Sequence, residues 1–205
     1  MFPSHDHSSI KLTADSGGGT FEVKAPASSG NTRVLTLPDA ANGTVLTTTN
    51  PKAGNIIQVV STTKSDDFST TSTSLVEITG PSVSITPTST SNQILVYFSV
   101  DGSNNSGGAA SAVVAVFKDG SNYFGADIGN RTRGWQLANY GDSNTGESVA
   151  FQFLDSPSTT FQITYDVRIK AQASTATVNM SGSDNNNANF GYRSASVITA
   201  MEVAA

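Results

Sequence analysis

The two histidines of this chain stand two residues apart, in the segment His5-Asp6-His7. In an extended chain, residues i and i+2 project to the same side. Three copies of the segment around a threefold axis would therefore bring all their imidazoles together, a set that suits octahedral coordination of a transition metal. The spacing predicts a transition-metal ion held by His5 and His7 on a trimer axis. The alternative is a pair of solvated side chains in an N-terminal arm.

Catalytic arrangements are hard to build from the other side chains. A Ser-His-Asp triad needs a histidine in rigid surroundings, and both histidines belong to the N-terminal arm. The adjacent carboxylates of Asp66 and Asp67 would point to opposite faces of a strand, so they cannot easily share a substrate. Cysteine is absent, which removes thiolate chemistry. The sequence therefore predicts a protein that is not an enzyme.

A segment rich in aromatic, amide, acidic and guanidinium groups lies between Asn122 and Tyr140. Sugars offer C–H faces that stack on aromatic rings and hydroxyls that hydrogen-bond to amides and acids, so the segment predicts a receptor- or glycan-binding loop. The alternative is that Trp135 and Phe124 fill the core or a subunit interface, as large aromatic residues usually do. The candidate residues are Tyr123, Phe124, Asp127, Asn130, Arg131, Arg133, Trp135 and Tyr140.

Charge and composition restrict the class of partner. The formal net charge is −5 and 13% of the residues are charged, whereas nucleic-acid binding needs clustered lysine and arginine to neutralise phosphates. Nucleic acid is therefore not an expected partner. Residues 1–7 lack the basic and apolar regions of a signal peptide, and no apolar run approaches the length of a membrane span. We expect synthesis in a cytoplasm and no insertion into a membrane.

The predicted elements are short strands joined by polar turns. Serine and threonine make up about a quarter of the chain, and the good helix formers are sparse. Residues 161–169 alternate between apolar and polar without a break, as in a strand with one buried and one wet face. Further strands are predicted at residues 55–61, 75–79, 83–86, 93–100, 112–117, 149–153, 176–180 and 197–203. This number and spacing indicate an all-β fold with a jelly-roll-like β-sandwich.

The first fifty residues are poorer in large apolar side chains than the rest. Two pairs of short strands with glycine turns predict two hairpins, one at residues 10–23 and one at residues 34–46. We expect three copies to pool their few apolar residues around a shared axis, and the alternative is a disordered arm. A boundary near residues 50–54 divides an anchoring arm or stalk, residues 1–53, from a β-sandwich head, residues 54–205.

Short motifs spread over most of the chain carry a family resemblance. In the arm they are KLTA at 11–14, EVKAPA at 22–27 and RVLTLP at 33–38. In the head they are IQVVSTTK at 57–64, VSITP at 83–87, FLDSP at 153–157 and SVITAMEV at 196–203. Together they resemble the tail-fibre or virion-fibre proteins of marine and freshwater, cyanophage-like phages. The resemblance implies a homotrimer with a head like those of complement C1q or tumour necrosis factor, and it supplies no catalytic residues.

The expected function is that of a structural virion protein, a short trimeric tail fibre with an anchoring arm and a head for host attachment. Its expected partners are other virion proteins of the baseplate, tail or capsid, and a host surface glycan. The chain is short for a tail fibre, so the alternative is a capsid decoration or cement protein, or a head fibre, with the same fold. A secreted C1q-like or lectin-like module is disfavoured by the missing signal peptide.

Overall fold

The structure is a computed structural model, and the chain divides into two compact units, Met1–Val45 and Leu46–Ala205. The residues that it describes are 9–13, 16–24, 27–28, 30, 51–104, 112–123, 125–126, 129–137, 145–181, 189 and 191–205. All regular elements within these ranges are strands. Correspondingly, no helix in the described ranges has the length and apolar character needed to cross a membrane.

The described part of the N-terminal unit contains one antiparallel hairpin, built from β1 (Ser9–Thr13) and β2 (Thr20–Lys24). Gly17 and Gly18 in the connection adopt φ values of 84° and 66°, a region open to glycine without strain. Leu12 and Val23 are both exposed on this hairpin. The first predicted hairpin is therefore present, whereas the second, at residues 34–46, lies outside the described residues.

In the C-terminal unit, the described residues form a sandwich of eleven further strands. They are β3 (Ile56–Lys64), β4 (Phe68–Thr70), β5 (Val76–Ile85), β6 (Gln93–Asn104), β7 (Ala112–Lys118), β8 (Ser121–Asn122), β9 (Trp135–Leu137), β10 (Glu147–Asp155), β11 (Ile163–Ala171), β12 (Ala176–Val178) and β13 (Ser196–Val203). All their pairings are antiparallel.

The strands form two sheets, each about four strands wide. In the first sheet the order is β3-β13-β6-β10. Further along β6, on the side where β13 pairs, β12 pairs with β6, and β4 pairs with β12. Gly102 of β6 pairs with Glu147 of β10 and with Val178 of β12, which places those two strands on opposite sides of β6. In the second sheet the order is β5-β11-β7, and both β8 and β9 pair with β7.

The pairings are nested along the chain. β7 pairs with β8 and β9, β6 with β10, β5 with β11 and β3 with β13, as in one long hairpin folded over into two sheets. This is the strand order of a jelly roll, an architecture of eight strands in two Greek keys. The all-β sandwich predicted from the sequence is confirmed. Its likeness to the heads of C1q and tumour necrosis factor stays a prediction.

The core lies between the sheets, and strand alternation decides which residues enter it. Ile94, Val96, Phe98 and Val100 of β6 are fully buried, while the residues between them face outward and keep part of their surface. On β11 the same period of two buries Ile163, Tyr165, Val167 and Ile169. Fully burying a side chain of this kind contributes about 1.5–3 kcal/mol relative to leaving it exposed.

Three local features differ from the sequence-based expectation. β5 continues through Gly80-Pro81, where two strands were predicted. β5 is an edge strand, which tolerates proline, and its register with β11 shifts at this point as in a β-bulge. β11 begins at Ile163, so Phe161 is not part of its buried face and is 82% exposed. Trp135 lies on a strand, β9, within the segment predicted to be a loop.

Candidate functional site

The predicted glycan-binding segment is described in part. Tyr123, Asn130, Arg131, Arg133 and Trp135 are among the described residues. The candidates that lie outside them are Phe124, Asp127, Tyr140 and the proposed metal ligands His5 and His7. The geometry of the site is therefore built from the first group and from the side chains that contact it.

Trp135 joins the two sheets at one side of the sandwich. Its backbone pairs with Val114 of β7 in the second sheet. Its ring centroid lies 5.1 Å from that of Phe98 and 4.7 Å from that of Phe151, both on the first sheet. Aromatic pairs of this kind add about 0.5–1.5 kcal/mol each beyond the area that they bury. Trp135 is half-buried, so its ring packs the sandwich and keeps only part of its surface for a ligand.

Gly134 makes this position of Trp135 sterically accessible. A Cβ atom at residue 134 would lie 2.5 Å from the carbonyl oxygen of Val114, far inside van der Waals contact. The φ of Gly134 is 156°, which side chains rarely adopt. Only glycine lets β9 approach β7 closely enough for the pairing that holds Trp135.

The residues before Trp135 form a loop that is fastened to the sandwich at two points. Lys170 Nζ donates a hydrogen bond to Thr132 Oγ1 at 2.5 Å. Asn122 Nδ2 donates to the carbonyl oxygen of Arg133 at 3.0 Å. Asn130 and Arg131 lie beyond these points and are exposed. The loop therefore presents an amide and a guanidinium group to solvent from a held backbone.

Tyr123 belongs to a network around the carboxylate of Asp155, which is 2% exposed. Asp155 accepts hydrogen bonds from Lys118 Nζ at 2.7 Å, from Tyr165 Oη at 2.5 Å and from the Tyr123 hydroxyl. These donors come from the second sheet and the residue after β8, whereas Asp155 ends β10 of the first sheet. The carboxylate therefore ties the two sheets together beside the candidate loop.

The electrostatics of this network favour the ionised carboxylate and the protonated phenols. Burial alone would raise the pKa of the Asp155 carboxyl, but the hydrogen bonds from Lys118, Tyr123 and Tyr165 outweigh it and leave the pKa below its ordinary value. Burial, together with the bond to Asp155, raises the pKa of Tyr123 to about 12 and that of Tyr165 further. At neutral pH the tyrosines remain donors, and Asp155 is occupied as an acceptor.

A second buried carboxylate, Glu202 on β13, fastens the other side of the sandwich. It accepts hydrogen bonds from Gln58 Nε2 at 2.5 Å, from Asn92 Nδ2 at 2.7 Å and from both the backbone N–H and the hydroxyl of Thr88. Burial raises the pKa of Glu202, but these bonds outweigh it and leave the pKa lowered. Asn92 also accepts a bond from the backbone N–H of Ala205. Glu202 thus joins β3, the segment before β6 and the chain end.

Sequence reasoning did not identify Asp155 and Glu202, although a signal was present for Asp155. Asp155 continues the alternation of Phe151 and Phe153. Glu202 follows a run in which the outward residues Val197 and Met201 are also apolar, so its inward position is evident only from the structure. A carboxylate at an inward-facing position of an apolar alternation indicates a buried, hydrogen-bonded group. Among the described residues, no three histidine, aspartate or glutamate side chains are grouped so that they could hold a metal ion.

The outward-facing side of the first sheet is free of charge over four rows of paired residues. We call it the uncharged face. Its residues are Ile56, Val59, Ser61 and Thr63 of β3, Val203, Met201, Thr199 and Val197 of β13, Gln93, Leu95, Tyr97 and Ser99 of β6, and Leu154, Gln152 and Ala150 of β10. The corresponding side of the second sheet differs, because it carries Glu77, Asp166, Arg168 and Lys170.

One row of the uncharged face is apolar across all four strands. Val59 pairs with Met201, Met201 with Leu95, and Leu95 with Leu154. Val59 is 56% exposed and Leu154 is 50% exposed, at the two ends of the row, while the two residues between them are half-buried. We call these four residues the apolar row.

Comparison with known proteins yields only distant structural likenesses. No protein-family model matches the chain, and no curated protein is similar to it in sequence. Among solved structures, the T=1 particles derived from infectious bursal virus match at 13% identity and a TM-score of 0.38, over 90% of this chain and 45% of that one. The VP2 subviral particle of infectious bursal disease virus matches at 13% and 0.34, over 90% of this chain and 50% of that one.

A third likeness, to the Gt strain of infectious bursal disease virus, has 15% identity and a TM-score of 0.34, over 90% of this chain and 46% of that one. The chain spans half the length or less of these viral chains. Identities and scores of this size do not assign a function.

Proposed function

We propose that this chain is a structural, non-enzymatic component of a phage virion. In this proposal it forms a short homotrimeric tail fibre, with an arm that docks on other virion proteins and a head that attaches to the host surface. The observation that carries the proposal is the presence of exposed large apolar side chains in both units. Leu12 is 56% and Val23 is 48% exposed on the N-terminal hairpin, and the apolar row is exposed at both ends on the sandwich.

The continuity of the apolar row supports assembly as the use of this surface. Single exposed apolar residues are ordinary on a soluble protein, whereas contiguous patches favour contact with a partner. The cores of protein interfaces are also depleted of charged residues, as the uncharged face is. A subunit of a larger particle is expected to carry such a surface.

The state of the buried carboxylates supports a structural role over a catalytic one. A general base needs a free acceptor within reach of a substrate proton. Asp155 and Glu202 instead accept several hydrogen bonds each, and their donors hold strands and chain ends in place. Both groups serve to fasten the fold.

The fastened loop before Trp135 supports a role in attachment. Binding residues are commonly placed on loops held by a rigid scaffold, and arginine and tryptophan are favoured as interface anchors. Asn130 and Arg131 are exposed on this loop, five and four residues before the partly exposed Trp135 in the chain. A host surface glycan, whose hydroxyls hydrogen-bond to amide and guanidinium groups, fits these residues.

Electron microscopy of intact virions labelled with an antibody against this chain tests the proposal. We expect label on the tail. Label over the capsid shell would favour the decoration or cement role, and a chain absent from purified virions would overturn the proposal. As a second readout, the purified full chain should compete with phage for attachment to host cells, and an equal amount of the Arg131→Ala variant should compete less well.

A further inference from the structure

Three of the four exposed large apolar residues that the structure describes in the sandwich lie at two opposite edges of the first sheet. On the β3 edge, Ile56 is 49% exposed and Val59 is 56% exposed. On the β10 edge, Leu154 is 50% exposed. The fourth, Phe161, is 82% exposed and lies on the loop between β10 and β11, two residues before β11 begins. β3 and β10 are both edge strands, since among the described strands each pairs with a single neighbour.

The two edges are at the same level along the strands. Val59 and Leu154 are the ends of the apolar row, so three strand spacings separate them, roughly 14 Å at about 4.8 Å each. Between them, Met201 and Leu95 are half-buried by their neighbours. The face therefore offers two apolar edges joined by a flatter apolar strip.

The separation of these two edges affects which symmetry a contact between copies of this chain would have. A twofold contact uses the same patch on both copies, whereas a ring needs two different patches on every copy. We propose that the two edges are the two halves of a head-to-tail contact between copies of this chain. The β10 edge of one copy, with Leu154, packs against Ile56 and Val59 of the next, and three copies close a ring. This inference rests on the homotrimer of the proposed function and assigns its interface.

The lack of charge on this face agrees with a second copy as the occupant. Each chain carries a net charge of −5, so identical chains repel each other where their charged surfaces meet. The uncharged face avoids that repulsion, whereas the outward side of the second sheet presents Glu77, Arg168 and Lys170. A foreign partner would be expected to match its charges to those of the surface that it binds, and this face offers none.

The position of the apolar row agrees with a ring of parallel copies. The backbone N–H of Gly54 donates to the carbonyl oxygen of Ala204 at 2.8 Å, and that of Ala204 donates to Asn55 at 2.9 Å. These bonds fix the point where the chain enters the sandwich, beside the start of β3 and the end of β13. Ile56 and Val203 pair at that same end. A contact there places the entry points of the three copies at one end of the ring.

Cysteine cross-linking of the full chain tests the inference, because the chain has no cysteine of its own. Val59→Cys and Leu154→Cys change exposed positions, so the core is left intact. With a short bismaleimide, each single variant should remain at the monomer position on a denaturing gel. Refolding the two together should give cross-linked dimers, and the double variant should give a ladder that ends at a trimer.

One control pair of variants and several possible outcomes test the assigned interface separately from the homotrimer. Glu77→Cys with Ser84→Cys, on β5 of the second sheet, should give no cross-linked species. Cross-linking of Val59→Cys or Leu154→Cys with itself, or a double variant whose ladder ends at a dimer, would show a twofold contact and overturn the head-to-tail assignment. A trimer by sedimentation in which the double variant stays uncross-linked would overturn the interface and leave the proposed homotrimer standing. A monomer by sedimentation would overturn both.

Discussion

At the scale of single residues, Trp135 packs the sandwich. Two substitutions, Trp135→Ala and Arg131→Ala, separate this packing role from the proposed role of the loop in attachment. Trp135→Ala removes the ring contacts to Phe98 and Phe151. We expect it to lower the free energy of unfolding by about 2–4 kcal/mol, at the low end for a large aromatic because the ring is only half-buried. Arg131→Ala changes an exposed side chain and should alter stability by less than about 0.5 kcal/mol. Urea denaturation measures both values.

The attachment assay then decides what the loop does. If Arg131→Ala keeps its stability and binds host cells less well, the loop is a receptor site. If Arg131→Ala attaches normally and Trp135→Ala dissociates the trimer, the segment is structural and the predicted site is wrong. Trimers that persist with unchanged attachment in both variants would favour a decoration role.

Asp155 makes the fold sensitive to acid. Its pKa lies below the unfolded value of about 3.9, so its ionised form stabilises the fold above that pH. The contribution is lost as the pH falls through the pKa of the folded state. Asp155→Asn leaves the Lys118 ammonium without its carboxylate, and we expect a loss of about 3 kcal/mol at pH 7. In thermal melts between pH 7 and pH 3, the difference between the two proteins should begin to shrink below about pH 4 and keep shrinking as the pH falls.

Comparing the two proteins at each pH isolates Asp155, because Glu202 also has a lowered pKa and titrates in both. A difference in stability that stays constant down to pH 3 would show that the effect of Asp155→Asn is steric. It would then not arise from the ionised carboxylate.

The roles of single residues could be predicted only in part, because alternation along a strand shows which face a residue occupies and not which residues it contacts. The aromatic character of Trp135 was evident, but β9 has three residues, too few to show a period of two. Its contacts with Phe98 and Phe151 come from strands far away along the chain, so no local pattern indicates them. Asp155 did carry a local signal, since it follows Phe151 and Phe153 on one face, whereas Glu202 follows residues that are apolar on both faces.

At the scale of elements, the long strands could be predicted and their partners could not. Residues 161–169 show the period of two that the pleat imposes when one face is buried, and they predict β11, which begins two residues later. Residues 93–100 form a nearly continuous apolar run, which predicts the central strand β6. The pairing of the strands could not be predicted in this way, because β3 pairs with β13 although most of the sandwich sequence lies between them. Which edges meet depends on the nesting of the whole chain, and short windows do not contain that information.

Gly102 lies where β6 and β12 approach each other closely. A Cβ atom there would lie 2.5 Å from the carbonyl oxygen of Thr177 and 3.0 Å from Leu137 Cδ1. Gly102→Ala should therefore separate β12 from β6 and lower stability by about 1–3 kcal/mol, as overpacking does. Ser99→Ala, on the outward side of the same strand, is the matched control and should melt like the parent. Equal melting temperatures for all three proteins would contradict the close approach.

The domain boundary can be tested by truncation. Residues 54–205 retain the hydrogen bonds that join Gly54 and Asn55 to Ala204, and they contain every strand of the sandwich. We expect this fragment to melt cooperatively on its own. A fragment that begins at residue 57 loses both bonds and one end of β3, and it should melt at a lower temperature. Absence of a cooperative transition in 54–205 would count against a boundary at this position.

At the scale of the whole molecule, the sandwich has a buried core, and both units expose large apolar side chains. The buried networks around Asp155 and Glu202 fasten the sandwich from within. The apolar row and the exposed residues Leu12 and Val23 are the surfaces to which we assign contact with other chains. The net charge of −5 opposes contact between identical chains where their charged surfaces meet. Burial of apolar area at about 25 cal/mol per Å² then favours assembly.

Sedimentation equilibrium of the full chain at micromolar concentration tests the homotrimer most directly. Three chains of 21.2 kDa give 3 × 21.2, or about 64 kDa, and we predict a single species of that mass. The Val59→Ser and Leu154→Ser variants should each shift the equilibrium towards monomer, while Ser84→Ala should not. A parent protein that sediments at 21.2 kDa under these conditions would contradict the trimer and the interface assigned to it.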